Sequence, residues 1–105
     1  MFFTNEQINQ ASRAMKAMSH PLRLQIISVL GTGELCVQAL VEQVGTTQSN
    51  VSQHLAIMRE KGVLRTRKDA NRVFYRVGDV RTLEVLNTLR QVFCGFSASV
   101  ACEVV

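Results

Sequence analysis

The side chains best suited to recognition chemistry lie between residues 48 and 76. Gln48, Ser49, Ser52, Gln53 and His54 crowd small, amide or imidazole groups into seven positions. Glutamine and serine are among the types that hydrogen-bond base edges in a DNA major groove, glutamine pairing with adenine N6 and N7. Immediately downstream, Arg59, Lys61, Arg65, Arg67, Lys68, Arg72 and Arg76 are opposed only by Glu60 and Asp69. Residues 59–76 therefore carry +5 in a chain whose total is +4, and the rest of the chain sums to −1. Such a stripe is the electrostatic footprint of phosphate binding; taken alone it is equally well read as solvated surface. A second chemistry resides in three thiols, Cys36, Cys94 and Cys102. The count is odd, and the start MFFTNEQINQ has neither the basic nor the apolar stretch of a secretory signal. A cytoplasmic, reducing setting is expected, with thiols that switch rather than a disulfide framework.

These groups need a scaffold, and 105 residues with 47% hydrophobic side chains allow one domain with one core. Thr4 or Asn5 can cap a first helix with Ile8, Ala11, Met15 and Met18 on one face, ending at Ser19. Pro21 then suits the first position of a second helix, with Leu22, Ile26 and Leu30 four apart, stopped by Gly31-Thr32-Gly33. A short third helix is predicted from about Cys36 to Val44, with Gly45 beyond its end. Thr47 caps a fourth, whose Val51, Leu55 and Met58 turn inward until Gly62 closes it. That geometry sends Gln48, Ser49, Ser52 and Gln53 outward, with His54 beside them, and the free N–H groups of the helix start favour phosphate. Two short helices joined by a glycine turn make a helix-turn-helix.

From Val63 the period changes to two: Leu64, Thr66 and Lys68 alternate with Arg65 and Arg67, then Val73, Tyr75 and Val77 alternate with Arg72, Phe74 and Arg76. Asp69-Ala70-Asn71 is the expected turn of this hairpin, whose tip from Lys68 to Arg72 projects cations toward the nucleic-acid backbone. A last helix from about Val80 to Phe93 carries Leu83, Val85, Leu86, Leu89, Val92 and Phe93, more apolar surface than one stripe uses, so it calls for a partner. Residues 1–94 thus form the domain and 95–105 a small-residue tail. The architecture expected is mainly α with a β-hairpin wing, in the order α-α-α-α-β-β-α. No apolar run is long enough to span a membrane.

The segments AMSHPLRLQIISVL, TTQSNVSQHLAIMREKGVL and TRKDANRVFYRV resemble the ArsR/SmtB family of bacterial winged helix-turn-helix repressors over about residues 10–94. The resemblance implies a homodimer built from the first and last helices, two recognition helices about one helical turn apart on a pseudo-palindromic double-stranded operator, and release on binding an inducer. By position, Gln48, Ser49, Ser52, Gln53 and His54 would read DNA, with Arg72 on the wing and Arg59 and Lys68 adding charge.

The family's inducer sites match this chain unevenly. The zinc type opens with Asp-x-His on the last helix, where this chain has Asp79-Val80-Arg81. The arsenic or cadmium type resembles Glu-Leu-Cys-Val-Cys, and Glu34-Leu35-Cys36-Val37-Gln38 keeps one thiol of the two. The persulfide and redox branch pairs a second-helix cysteine with one ending the last helix; Val92-Phe93-Cys94 fits, but the other position is Ser28. The expected function is therefore a repressor released by reaction of Cys36, Cys94 or Cys102 with reactive sulfur or oxidants, with no cofactor. The alternative inducer is trivalent arsenic or a soft metal held by Cys94 and Cys102, with or without Cys36. Catalysis is not expected, because no oriented Cys-His pair, glycine-rich phosphate loop or HExxH motif occurs. A winged helix used only for protein interaction is disfavoured by the cationic stripe.

Overall fold

Local sequence chemistry sets each helix start. In the computed structural model, which describes residues 2–95, helix α1 (Asn5–Met18) begins with a reciprocal cap in which Thr4 Oγ1 accepts from Gln7 N at 3.1 Å and Gln7 Oε1 accepts from Thr4 N at 3.0 Å. Helix α2 (Pro21–Leu30) has proline at its first position and is capped by His20, whose Nδ1 accepts from Leu22 N at 3.1 Å. Gly45, in the left-handed region at φ 75°, ends α3 (Val37–Val44). Thr47 caps α4 (Gln48–Glu60) by accepting from Asn50 N at 3.1 Å.

The chain continues through β2 (Leu64–Asp69), β3 (Arg72–Val77) and α5 (Arg81–Phe93), and the sheet also includes β1 (Glu34–Cys36). That strand corrects the sequence reading, which began a helix near Cys36 and foresaw only two strands. Cys36 ends β1 and sits at the cap position of α3, with extended backbone. The sheet order is β1-β3-β2, antiparallel throughout, with Glu34 opposite Arg76, Leu35 opposite Tyr75 and Cys36 opposite Phe74. The wing turn is also tighter than expected: Asp69 pairs with Arg72, leaving only Ala70-Asn71 between the strands, and Ala70 takes φ +58°.

One core joins these elements. Ile26, Ile27, Leu40, Val51, Leu55, Met58 and Leu64 are all fully buried, each contributing about 1.5–3 kcal/mol by removal from water. Helix α4 supplies three of them at spacings of four and three, which fixes its rotation and commits its opposite face to solvent.

Apolar surface remains uncovered on the two outer helices. Of the face expected for α1, Met18 packs on the core, whereas Ile8 and Met15 are 42% and 63% exposed. Helix α5 has no buried residue: Leu83 and Leu86 lean on the core, but Val85, Leu89, Val92 and Phe93 stay 57%, 41%, 65% and 79% exposed. Its start is fixed by Asp79, whose Oδ1 accepts from Arg81 N at 2.9 Å and whose carboxylate also pairs with the Arg81 guanidinium. Those contacts hold the Asp79 pKa down at about 2. Expectations for the tail beyond Gly95 fall outside the described residues. No helix among the described residues is long and apolar enough to cross a membrane.

Candidate nucleic-acid interface

Gln48, Ser49, Ser52 and Gln53 occupy the first two turns of α4 and are all exposed, as the inward commitment of Val51, Leu55 and Met58 requires. The helix thus offers two amides and two hydroxyls at its electropositive end, the donor and acceptor set suited to base edges and phosphate oxygens. Arg59, also exposed, lies in the last turn, where its charge complements the helix dipole as well as a nucleic-acid backbone.

His54 behaves differently from its four neighbours. Its ring is half-buried and tilted against that of His20, with centroids 4.3 Å apart. Nδ1 accepts a hydrogen bond from Arg23 Nε at 3.0 Å, so that nitrogen is engaged within the protein and only Nε2 is left for a DNA contact. Burial pushes the His54 pKa down, and the charges of His20 and Arg23 push it further the same way. A depressed histidine pKa makes the neutral form the native one. Its stabilising contribution is complete above about pH 6.5 and is lost as pH falls from there toward the lowered native value.

The wing is cationic along its length, and among the described residues only Arg67 of its arginines is held in ion pairs. Arg67 Nε donates to Glu34 Oε1 at 2.7 Å, and its guanidinium lies 4.7 Å from the Phe74 ring centroid, so it anchors β2 across β3 to β1. The Arg67 hydrogen bond lowers the Glu34 pKa, with smaller help from the Arg67 and Arg76 charges. Arg65 and Arg76 stand directly opposite each other, both exposed and, among the described residues, in no ion pair, a pairing of like charges that costs stability and that a polyanion would relieve. Lys68 and Arg72 lie at the tip, exposed and, among the described residues, in no ion pair. The wing therefore presents two unpaired cations at its tip.

Two of the three thiols fall within the described residues, on different elements. Cys36 is half-buried and lines an open cavity of about 470 Å³ together with Val37, Gln38, Asn71, Arg72 and Val73, which puts it beside the wing. Cys94 is exposed at the end of α5, and Cys102 lies outside the described residues. Ser28 is exposed on α2 and donates to Leu24 O at 2.8 Å. Among the described residues no cluster of three or more His, Cys, Asp or Glu side chains is placed to hold a metal ion.

Residues 20–66 match the model of the bacterial regulatory protein arsR family. The chain is 34% identical over 89 residues to the biofilm growth-associated repressor of Xylella fastidiosa, covering 85% of this chain and 78% of that one. It is 38% identical over 80 residues to the transcriptional activator HlyU of Vibrio cholerae, covering 76% and 74%. The crystal structure of the repressor BigR from Xylella fastidiosa superposes with a TM-score of 0.75 at 33% identity, over 89% of this chain and 99% of that one. HlyU from Vibrio cholerae gives 0.78 at 34%, over 87% and 99%. The polar outer face of α4, the cationic wing tip and these likenesses agree: the chain belongs to the arsR family of bacterial regulatory proteins and is a winged helix-turn-helix, DNA-binding transcriptional regulator.

Proposed function

We propose that the chain works as a homodimer joined through α1 and α5, holds a pseudo-palindromic operator with its two α4 helices, and represses transcription until its thiols react. The dimer accounts for the apolar side chains that α1 and α5 leave in solvent, and a two-fold pair of reading helices suits half-sites one helical turn apart. Similarity to a biofilm growth-associated repressor supports repression as the direction of control.

The observation that carries the thiol arm is the cavity shared by Cys36 and Arg72. An adduct on the Cys36 sulfur occupies space next to the wing cation, so modification is read where the protein touches DNA. For a polysulfide inducer, the cysteine thiolate attacks a sulfane sulfur, one S–S bond of the chain breaks, and the shortened polysulfide leaves with the electron pair. Cys94 and Cys102 are the further thiols of this reading.

Joint replacement Cys36→Ser, Cys94→Ser and Cys102→Ser is expected to leave operator binding by the reduced protein within about twofold, as for conservative surface changes. It should abolish release by polysulfide and peroxide, read by fluorescence anisotropy alongside intact-protein mass spectrometry. Release by polysulfide, peroxide and arsenite that survives the triple replacement overturns the thiol reading. Release of the unmodified-sequence protein by arsenite alone assigns the switch to trivalent arsenic instead.

A further inference from the structure

The contacts around Arg23 go beyond what either recognition surface or thiol chemistry needs. Arg23 lies in the first turn of α2, half-buried, and reaches two other helices at once. Its Nη1 donates to Ala17 O at 3.2 Å and, at the limit of a hydrogen bond, to Lys16 O at 3.5 Å. Those carbonyls belong to the last turn of α1, where Lys16 O also accepts from Ser19 N at 3.2 Å and the helix dipole favours a cation. Its Nε donates to His54 Nδ1 at 3.0 Å, thirty-one residues away on the reading helix. His20, capping α2 through its own Nδ1, closes the other side of the His54 ring.

We propose that Arg23 is a positioning residue for DNA reading: clamped by the α1 carbonyls, it holds His54 as the neutral tautomer protonated on Nε2 and so sets the donor that the reading helix presents. An imidazole nitrogen that accepts from a guanidinium carries no proton, which leaves the proton of the neutral ring on Nε2. Burial is the main cause that lowers the His54 pKa, followed by His20, which caps α2, and by Arg23 within α2. The clamp therefore gives His54 a fixed donor without adding a cation to the reading face. It also ties α1, one of the two helices with uncovered apolar surface, directly to α4. This inference rests on DNA reading by α4 and is independent of the thiol switch.

The test uses the reduced full chain without inducer. Nitrogen-15 NMR of the imidazoles should show His54 as the Nε2–H tautomer at pH 7.5, titrating below the ordinary histidine range. In Arg23→Ala, the tautomer should become mixed and the titration should move up. Affinity for a duplex selected from a random pool should fall about tenfold, the size of one charge-assisted hydrogen bond. The slope of log affinity against log salt should stay unchanged, whereas loss of a phosphate contact lowers it by about 0.9. Arg23→Lys, which keeps the charge without the planar fork, should reproduce the tautomer change. A wild-type His54 protonated on Nδ1, or titrating at or above its ordinary value, overturns the proposal even if the Arg23 variants fail to fold. A slope reduced by about 0.9 with the tautomer intact also overturns it, making Arg23 a phosphate contact.

Discussion

Leu55→Ala is expected to remove about 2–5 kcal/mol of stability, because it deletes a fully buried side chain from the centre of the one core and leaves a cavity between neighbours that cannot close over it. A domain of this size has roughly 5–15 kcal/mol in total. At about 4–8 °C per kcal/mol, the midpoint of thermal unfolding should drop by at least about 8 °C. Operator binding should weaken as well, since Leu55 fixes the rotation of α4 together with Val51 and Met58. The contrast on the same helix is Gln53→Ala. Gln53 is exposed, so the midpoint should move little, within about 0.5 kcal/mol. Affinity for a selected duplex should still fall by the roughly 1–3 kcal/mol of a lost base contact. Calorimetry and anisotropy on the two variants separate scaffold from contact. A Leu55→Ala protein with an unmoved midpoint would show that the core is not organised around α4.

The second large effect concerns α5. Leu89→Asp with Val92→Asp places two charges on side chains that are 41% and 65% exposed in the single chain, so neither is needed to fill its core. If those side chains meet a second copy, the charges are desolvated at the contact and the dimer is lost. Sedimentation equilibrium should then find a dimer for the parent chain and a monomer for the double variant. Affinity for a two-half-site duplex should fall about a hundredfold or more, because the second half-site no longer binds as an intramolecular event. A double variant that remains dimeric, or that binds the duplex as before, places the dimer contact elsewhere.

The exposed polar face of α4 and the wing are legible in the sequence because they depend on local periodicity. Val51, Leu55 and Met58 at spacings of four and three determine which way α4 faces, and alternation over 64–77 determines the wing. What stayed hidden depends on partners far along the chain. Glu34-Leu35-Cys36 is too short to show alternation, and becomes a strand only by pairing with β3 some forty residues later. Arg23 and His54 each look ordinary in sequence, and their hydrogen bond exists only after α2 and α4 have packed. In α1, the spacing of Ile8, Ala11, Met15 and Met18 identified a shared face but not what covers it; of the longer apolar side chains there, only Met18 reaches the core of a single chain. The wing turn holds two residues rather than three because Asp69, a common turn residue, pairs with Arg72.

The central claim is that two α4 helices enter duplex DNA while wing cations hold its backbone. Titrating the reduced dimer against a duplex selected from a random-sequence pool, across 50–300 mM salt, tests it directly. Six or more phosphate contacts per dimer predict a slope of log affinity against log salt near −5 or steeper, with competition by unrelated duplex at least a thousandfold weaker. A shallow slope, or no binding at about 50 mM salt, would contradict the account.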